Sequence, residues 1–398
     1  MTVVQFLTAC LPQRTPFDGL YSFPLRRIHL HGVCNGCILQ RAYHDLVTVS
    51  DKKPIVSQGP PGRSAVTGHV ATVFGCTGFL GRYVVHKLAK AGTQVIVPYR
   101  DEDEKRHLKV MGDLGQIVPM EWDIRNEKQI EECVRHSDIV YNLAGREYET
   151  KNFSFTDANA TGPARVAKIT SQSGVPRLVH VSHLNAAVDS PSAFYRAKAE
   201  GEALVREAFP DATIVRPGPM YGYEDKLLQN IPVWPIWWKL NHSQTKTRPV
   251  HVMDVAQALS NLIPLPALAR TLSLPGPSTL TYEYLLDLVS TLTYNPPSRA
   301  PVLPKRLAMM LAAAGQKVWW PAISPDEVIR RYLDDVGADG ELEGEMGDWD
   351  VVGVVPDEIE RHAITYVRRY RSAANYVRPI VLPSRPDAYL PTKTVSVE

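Results

Sequence analysis

Val73-Phe74-Gly75-Cys76-Thr77-Gly78-Phe79-Leu80-Gly81-Arg82 decides how this chain folds. An apolar segment over residues 69–74 leads into it and a helix-like pattern over residues 82–91 leads out. The three glycines at 75, 78 and 81 let a strand turn sharply into a helix while the backbone stays close to a pyrophosphate. The helix N-terminus then faces that anion. Gly75, Thr77, Gly78, Phe79, Leu80, Gly81 and Arg82 are therefore expected to bind a dinucleotide. A glycine triplet alone is a weak signal, and this one gains weight from its place in the first βα unit.

Downstream, short apolar or β-branched segments at residues 94–99, 117–121, 139–143, 178–182 and 213–215 alternate with helical patterns at 127–136, 163–173 and 195–209. Strands separated by helices imply an α/β fold with a parallel, doubly wound sheet. The expected organisation is a leader over residues 1–45, a Pro/Gly linker over 46–68, a nucleotide domain over 69–270 carrying a lobe insertion at 219–250, and a smaller irregular C-terminal lobe over 271–398. Residues 334–350, rich in acids and glycines, read as a solvated loop. Residues 356–376 read as a helix whose Arg361, Arg368, Arg369 and Arg371, with Arg378 beyond, suit either a solvated face or an acidic partner or lipid head group. Trp234, Trp237 and Trp238 suit an interface or a pocket.

A formal charge of +2 with 22% charged residues offers no cationic field for nucleic acid. The first 50 residues hold Arg14, Arg26, Arg27 and Arg41 against only Asp18 and Asp45, an Arg-bearing, acid-poor pattern that reads as a mitochondrial transit peptide, with a disordered tail as the alternative. Of five cysteines, Cys10, Cys34 and Cys37 lie in that leader. Cys34 and Cys37 have CxxC spacing without a second pair, so no metal site is expected. No run of 18 apolar residues occurs, which leaves peripheral attachment, or attachment through a partner, as the expected route to a membrane.

The end of the second strand discriminates between cofactors: an acid there binds the ribose 2′-hydroxyl, and an arginine accommodates a 2′-phosphate. Pro98-Tyr99-Arg100-Asp101 places Arg100 at that tip, which favours NADPH, while Asp101 leaves NADH as the less favoured alternative. Asp123 is expected beside the adenine, and Asn142, Ala144 and Gly145 beside the nicotinamide ribose.

These features, with Val181-Ser182, Lys198-x-x-x-Glu202, Arg216-Pro217-Gly218 and His251-Val252-x-Asp254-Val255, resemble the atypical, extended branch of the short-chain dehydrogenase/reductase superfamily. Met111-Gly112-Asp113-Leu114-Gly115-Gln116, Glu149-Thr150-Lys151-Asn152-Phe153 and His180-Val181-Ser182-His183-Leu184-Asn185-Ala186 narrow the resemblance to the nucleotide-binding accessory subunits of mitochondrial respiratory complex I. The likeness covers roughly residues 64 to 255. It implies a Rossmann fold that holds NADPH away from the electron path, with Ser182, Lys198 and Pro217 joining the cofactor site. It further implies a matrix-side, peripheral inner-membrane location at the junction of the two arms. Neighbouring subunits, and cardiolipin or the membrane surface, are the implied partners, in place of a free homo-oligomer.

Reductases of the superfamily protonate substrate oxygen with a tyrosine four residues before the lysine, on one helical face. Counting back from Lys198 gives Phe194, which has no proton to give, so no catalytic residue is expected. The rival reading, an active mitochondrial NADPH-dependent reductase of a small carbonyl or isoprenoid, has to use Tyr195. His251 and Asp254 read as structural.

Overall fold

Seven parallel strands form the centre of this structure, a computed structural model that describes residues 46–49, 54–57, 62, 65–296, 301–318, 324–337 and 347–385. The expected leader over residues 1–45, with its three cysteines, lies outside the described residues. The strands are β1 (Val70–Phe74), β2 (Gln94–Tyr99), β3 (Ile117–Glu121), β4 (Ile139–Asn142), β5 (Arg177–Val181), β6 (Thr213–Pro217) and β7 (Thr271–Leu274). Their order across the sheet is β7-β6-β5-β4-β1-β2-β3, so the winding reverses between β1 and β4. That reversal opens a crevice at the carboxyl ends of the two strands.

Alternation along each strand builds two apolar layers. Ala71 and Val73, Ile139 and Tyr141, and Val179 and Val181 pack with α1 (Phe79–Lys90) and, farther along the chain, α5 (Val252–Asn261). Phe74, Val140 and Leu178 turn to the other face, against α2 (Glu127–Val134), α3 (Gly162–Gln172) and α4 (Ala193–Ala208). Each fully buried aliphatic side chain contributes about 1.5–3 kcal/mol, so these two layers outweigh any single polar contact. Even so, one polar contact crosses the first layer: Tyr141 donates its hydroxyl to the Leu259 carbonyl at 2.9 Å.

The smaller lobe gathers α6 (Tyr282–Thr293), α7 (Lys305–Val318), α8 (Pro325–Arg330) and α9 (Ile359–Val367). One of its cores joins Tyr221, Trp238, Leu285, Leu288, Ile359 and Ala363. The fold class is thus a Rossmann-type doubly wound sheet with a smaller irregular lobe.

Several expectations need correction. Residues 46–57, expected within a linker, contain two antiparallel strands, Leu46–Val49 and Pro54–Ser57. β7 was not legible as a strand and completes the sheet edge beside β6. The helix expected over 356–376 stops at Val367 and is followed by a 3-10 turn, Arg368–Tyr370; beyond it Arg371 is buried and donates to the Leu292 carbonyl at 2.6 Å. Its arginines do not form one free basic face: Arg361 pairs with Asp357 and Arg369 bonds Gln229. Residues 334–350 are not simply solvated, since Asp335 and Trp349 are buried. Of the three tryptophans, Trp238 is buried under the Arg331 guanidinium at 3.6 Å, while Trp234 is exposed.

Helix α4 carries the residues that matter most below, and its seat depends on Gly201. A Cβ there would lie 2.1 Å from the Asn159 carbonyl oxygen, in the π-helical turn Asp157–Thr161 before α3. Gly201→Ala must therefore push α4 off that turn. The expected cost is about 1–3 kcal/mol, read as a lowered midpoint in denaturant unfolding.

Candidate functional site

The β1–α1 turn is shaped by what cannot fit in it. Gly75 has φ +80°, and a Cβ there would lie 2.9 Å from the Leu143 carbonyl carbon and 3.0 Å from the Ala144 nitrogen. A Cβ on Gly81 would lie 2.2 Å from the Gly75 oxygen. The turn closes through the Gly78 N–H, which donates to the Gly75 carbonyl at 3.1 Å. Gly78 then starts α1 without a side-chain cap, and no acid stands in the first helical turn. The opening amides of α1 and its dipole are left for an anion. Phe79 and Leu80 contribute backbone here, because their side chains pack into the core beneath α1. Cys76 donates its thiol to the Pro98 carbonyl, and burial pushes that thiol up to about 12, so it is inert.

A cleft runs from this turn across the ends of β1, β2 and β4. Of the expected residues, Gly75, Thr77, Gly78, Arg100, Asp123, Ala144 and Gly145 line it. Arg100 stands exposed at the tip of β2. Asp101 caps a local turn instead, accepting from the Asp103 N–H at 3.1 Å. Asp123 accepts from the Arg125 N–H at 2.7 Å, which fixes its loop. Arg82 does not line the cleft: its guanidinium pairs with Glu224 at 2.5 Å and donates to the Thr77 carbonyl at 3.2 Å. Its partner, more than a hundred residues away in sequence, draws it aside.

The sequence reading missed Arg146, which lines the same cleft. Buried Asn159 clamps its backbone from both sides, accepting from its N–H at 3.1 Å and donating to its carbonyl at 2.8 Å. The available signal was position, since Arg146 directly follows the Asn142-Leu143-Ala144-Gly145 loop.

Beyond Gly145 the site becomes buried and polar. Asn142 accepts from the Ala144 N–H at 3.2 Å, while its Nδ2 and the Ser182 Oγ are buried without a hydrogen-bond partner among the described residues. Such orphaned groups are costly unless something bonds them. The Pro217 carbonyl is taken by the Leu184 N–H. Lys198 donates to the Val181 carbonyl at 3.3 Å, and a Cβ on Gly145 would lie 3.0 Å from its ammonium. Burial lowers the Lys198 pKa to about 8, against the opposing pull of Glu202 and Glu147. Glu202 is itself gripped by Arg216 through two hydrogen bonds of 2.9 and 2.7 Å, which tie α4 to β6.

Phe194 is 4% exposed, with its ring 5.9 Å from the Lys198 ammonium and 6.3 Å from the Phe155 ring. Tyr195 turns away, donating its hydroxyl to Asp335 at 3.4 Å. Burial, reinforced by the Asp335 carboxyl, raises the Tyr195 pKa well above its usual value. Burial likewise raises Asp335 to about 7, although Arg330 and the Tyr195 hydroxyl oppose the shift. Burial and then Arg330 hold His183 neutral, near 3. His251 bonds the Tyr366 hydroxyl at 2.6 Å, and Asp254 accepts from the Asp357 N–H at 2.8 Å, so both are structural. The described residues contain no cluster of metal-ligating side chains.

Residues 71–263 match the NAD dependent epimerase/dehydratase family. The chain is 42% identical over 342 residues to the mitochondrial NADH-ubiquinone oxidoreductase 40 kDa subunit of Neurospora crassa, covering 85% of this chain and 89% of that one. It is 38% identical over 330 residues to the mitochondrial NADH dehydrogenase (ubiquinone) 1 alpha subcomplex subunit 9 of Rattus norvegicus, with 80% and 85% covered. The subunit 9 of Arabidopsis thaliana is 38% identical over 363 residues, with 86% and 87% covered. Among solved structures, gox2253 superposes with a TM-score of 0.55 at 18% identity, over 76% of this chain and 97% of that one. MoeE5, solved with UDP-glucuronic acid and NAD, gives 0.55 at 15% identity over 76% and 99%; both share the fold. On identity sustained along most of both partners, the chain belongs to the family of NADH dehydrogenase (ubiquinone) 1 alpha subcomplex subunit 9 and its 40 kDa fungal counterpart.

Proposed function

We propose that this chain is a non-catalytic accessory subunit of mitochondrial NADH:ubiquinone oxidoreductase that holds NADPH as a structural cofactor. The observation that carries the reading is Phe194 beside Lys198 above an intact glycine cradle. A site that must protonate a substrate oxygen needs a hydroxyl there, whereas a site that only grips a nucleotide does not. Tyr195 offers no substitute, because its hydroxyl is engaged with Asp335. The family's membership of complex I supports the assembly, and no helix among the described residues is long and apolar enough to cross a membrane. In this reading residues 1–45 form a removable leader, and the subunit sits peripherally on the matrix side, at the junction of the arms. Neighbouring subunits, with cardiolipin or the membrane surface, are its partners.

The residues present fit a nicotinamide dinucleotide. The α1 N-terminus would take the pyrophosphate, Arg100 the 2′-phosphate, and Lys198 the nicotinamide ribose hydroxyls. Asn142 Nδ2 and Ser182 Oγ would gain the partners they lack. When bound, the cofactor supplies hydride chemistry. This chain's residues supply only grip and exclusion of water.

Three outcomes are expected. Acid treatment of the isolated respiratory assembly releases NADPH from the parent and none from Gly75→Val, whose side chain collides with the Leu143 carbonyl; equal release from both overturns the reading. Arg100→Ala narrows the preference for NADPH over NADH about tenfold, from the loss of one charge-assisted contact; a parent that binds NADH more tightly contradicts the assignment. Lys198 grips ribose oxygens more strongly as an ammonium than as a neutral amine, so binding takes up a proton above its free-state value of about 8. NADPH affinity therefore falls as pH rises through that value, and Lys198→Met removes the slope, as titration calorimetry across pH would show.

A further inference from the structure

Helix α8 of the smaller lobe bonds both the start of α4 and the end of the loop that follows β4. Asp326 is buried, and its carboxylate accepts from the Ser192 hydroxyl at 2.8 Å and from the Ala193 N–H at 2.7 Å. The first turn of α4, the helix that carries Lys198, is thus capped by the distant lobe. One turn along α8, Arg330 donates to the Glu147 carbonyl at 3.3 Å, and its guanidinium lies 4.8 Å from the Phe194 ring centre. Glu147 closes the loop whose Ala144, Gly145 and Arg146 line the cleft. Arg330 and Asp326 also approach each other, 3.5 Å apart.

Side chains on either side of α8 reinforce the bridge. Glu147 pairs with Lys226 at 2.9 Å, and Asn185 donates to the Asp334 carbonyl at 2.7 Å while accepting from the Gly337 N–H at 3.0 Å. The Glu147 side chain is 48% exposed, and Lys226 and Arg330 hold its carboxyl well below the usual range, so it stays charged. The Asp326 carboxylate is buried, and hydrogen bonds to a buried charge are among the stronger in a protein and hard to lose singly, because the partner is left unpaired.

We propose that Asp326 and Arg330 are positioning residues for the nucleotide: they strap α4 to the 143–147 loop and so set how slowly a bound dinucleotide leaves. The proposal rests on the NADPH-holding reading above. Neither residue faces Arg100, so the strap governs residence time and leaves the choice between NADPH and NADH unchanged. Arg330 also covers the face of Phe194, where a reacting group would need room.

The test is nucleotide exchange in the isolated assembly, loaded with tritiated NADPH and chased with excess unlabelled NADPH. Asp326→Ala and Arg330→Ala should release label at least tenfold faster than the parent, with Arg330→Lys in between because it keeps the charge and loses the planar fork. The NADPH to NADH affinity ratio should not move in any of them. Parent-like release from Arg330→Ala or Arg330→Lys loaded to parent occupancy overturns the strap. A parent that holds no NADPH overturns the proposed function instead, and hydrogen exchange then decides the strap alone. In that case Arg330→Ala must speed exchange at the amides of residues 192–195, which Arg330 does not bond, and unchanged exchange there overturns the proposal.

Discussion

The absence of a side chain at Gly81 is the constraint from which the site follows. With the Gly75 oxygen 2.2 Å from where its Cβ would stand, α1 can start only if this residue has none. That closeness holds the helix N-terminus against the end of β1, and the positive φ of Gly75 then brings the turn onto the Leu143–Ala144 peptide of β4's loop. Two strands on opposite sides of the winding reversal are thereby locked to one helix end. No polar contact in the cleft could substitute, since a backbone clash costs more than any one hydrogen bond returns.

A second constraint acts at the other end of the cleft. A buried ammonium is expensive, and Lys198 keeps its place through the Val181 carbonyl and the field of Glu202 and Glu147. Glu202 in turn needs Arg216, and Glu147 needs Lys226, so one lysine recruits charges from β6 and from the segment beyond it. Such a network offsets part of the cost of burying the ammonium beside Phe194.

The sheet was legible because its signal is local: β2 and β3 match the expected residues 94–99 and 117–121, and alternation plus short spacers fix β1, β4, β5 and β6 to within two residues. Phe194 was legible by counting along one helix face. The pairing of Arg82 with Glu224 was not legible, because its partner belongs to another part of the chain and no local pattern announces such a pair. β7 escaped for a related reason, as Thr271–Leu274 is four residues long and becomes a strand only by pairing with β6. The inward turn of Arg371 and the burial of Asp335 are likewise tertiary facts that composition had disguised as a basic face and an acidic loop.

That division between local and distant signal also separates binding from chemistry in this fold. The cradle, Arg100 and Lys198 sit on the sheet and its helices, whereas the groups surrounding Phe194 and Tyr195 include Arg330 and Asp335 from the smaller lobe. Removing one hydroxyl leaves every contact on the sheet side in place. On the side of the smaller lobe, the Arg330 guanidinium lies 4.8 Å from the centre of the phenyl ring. On the reading proposed above, such a chain can lose turnover without losing affinity, because the glycine cradle and Lys198 do not depend on a hydroxyl at position 194.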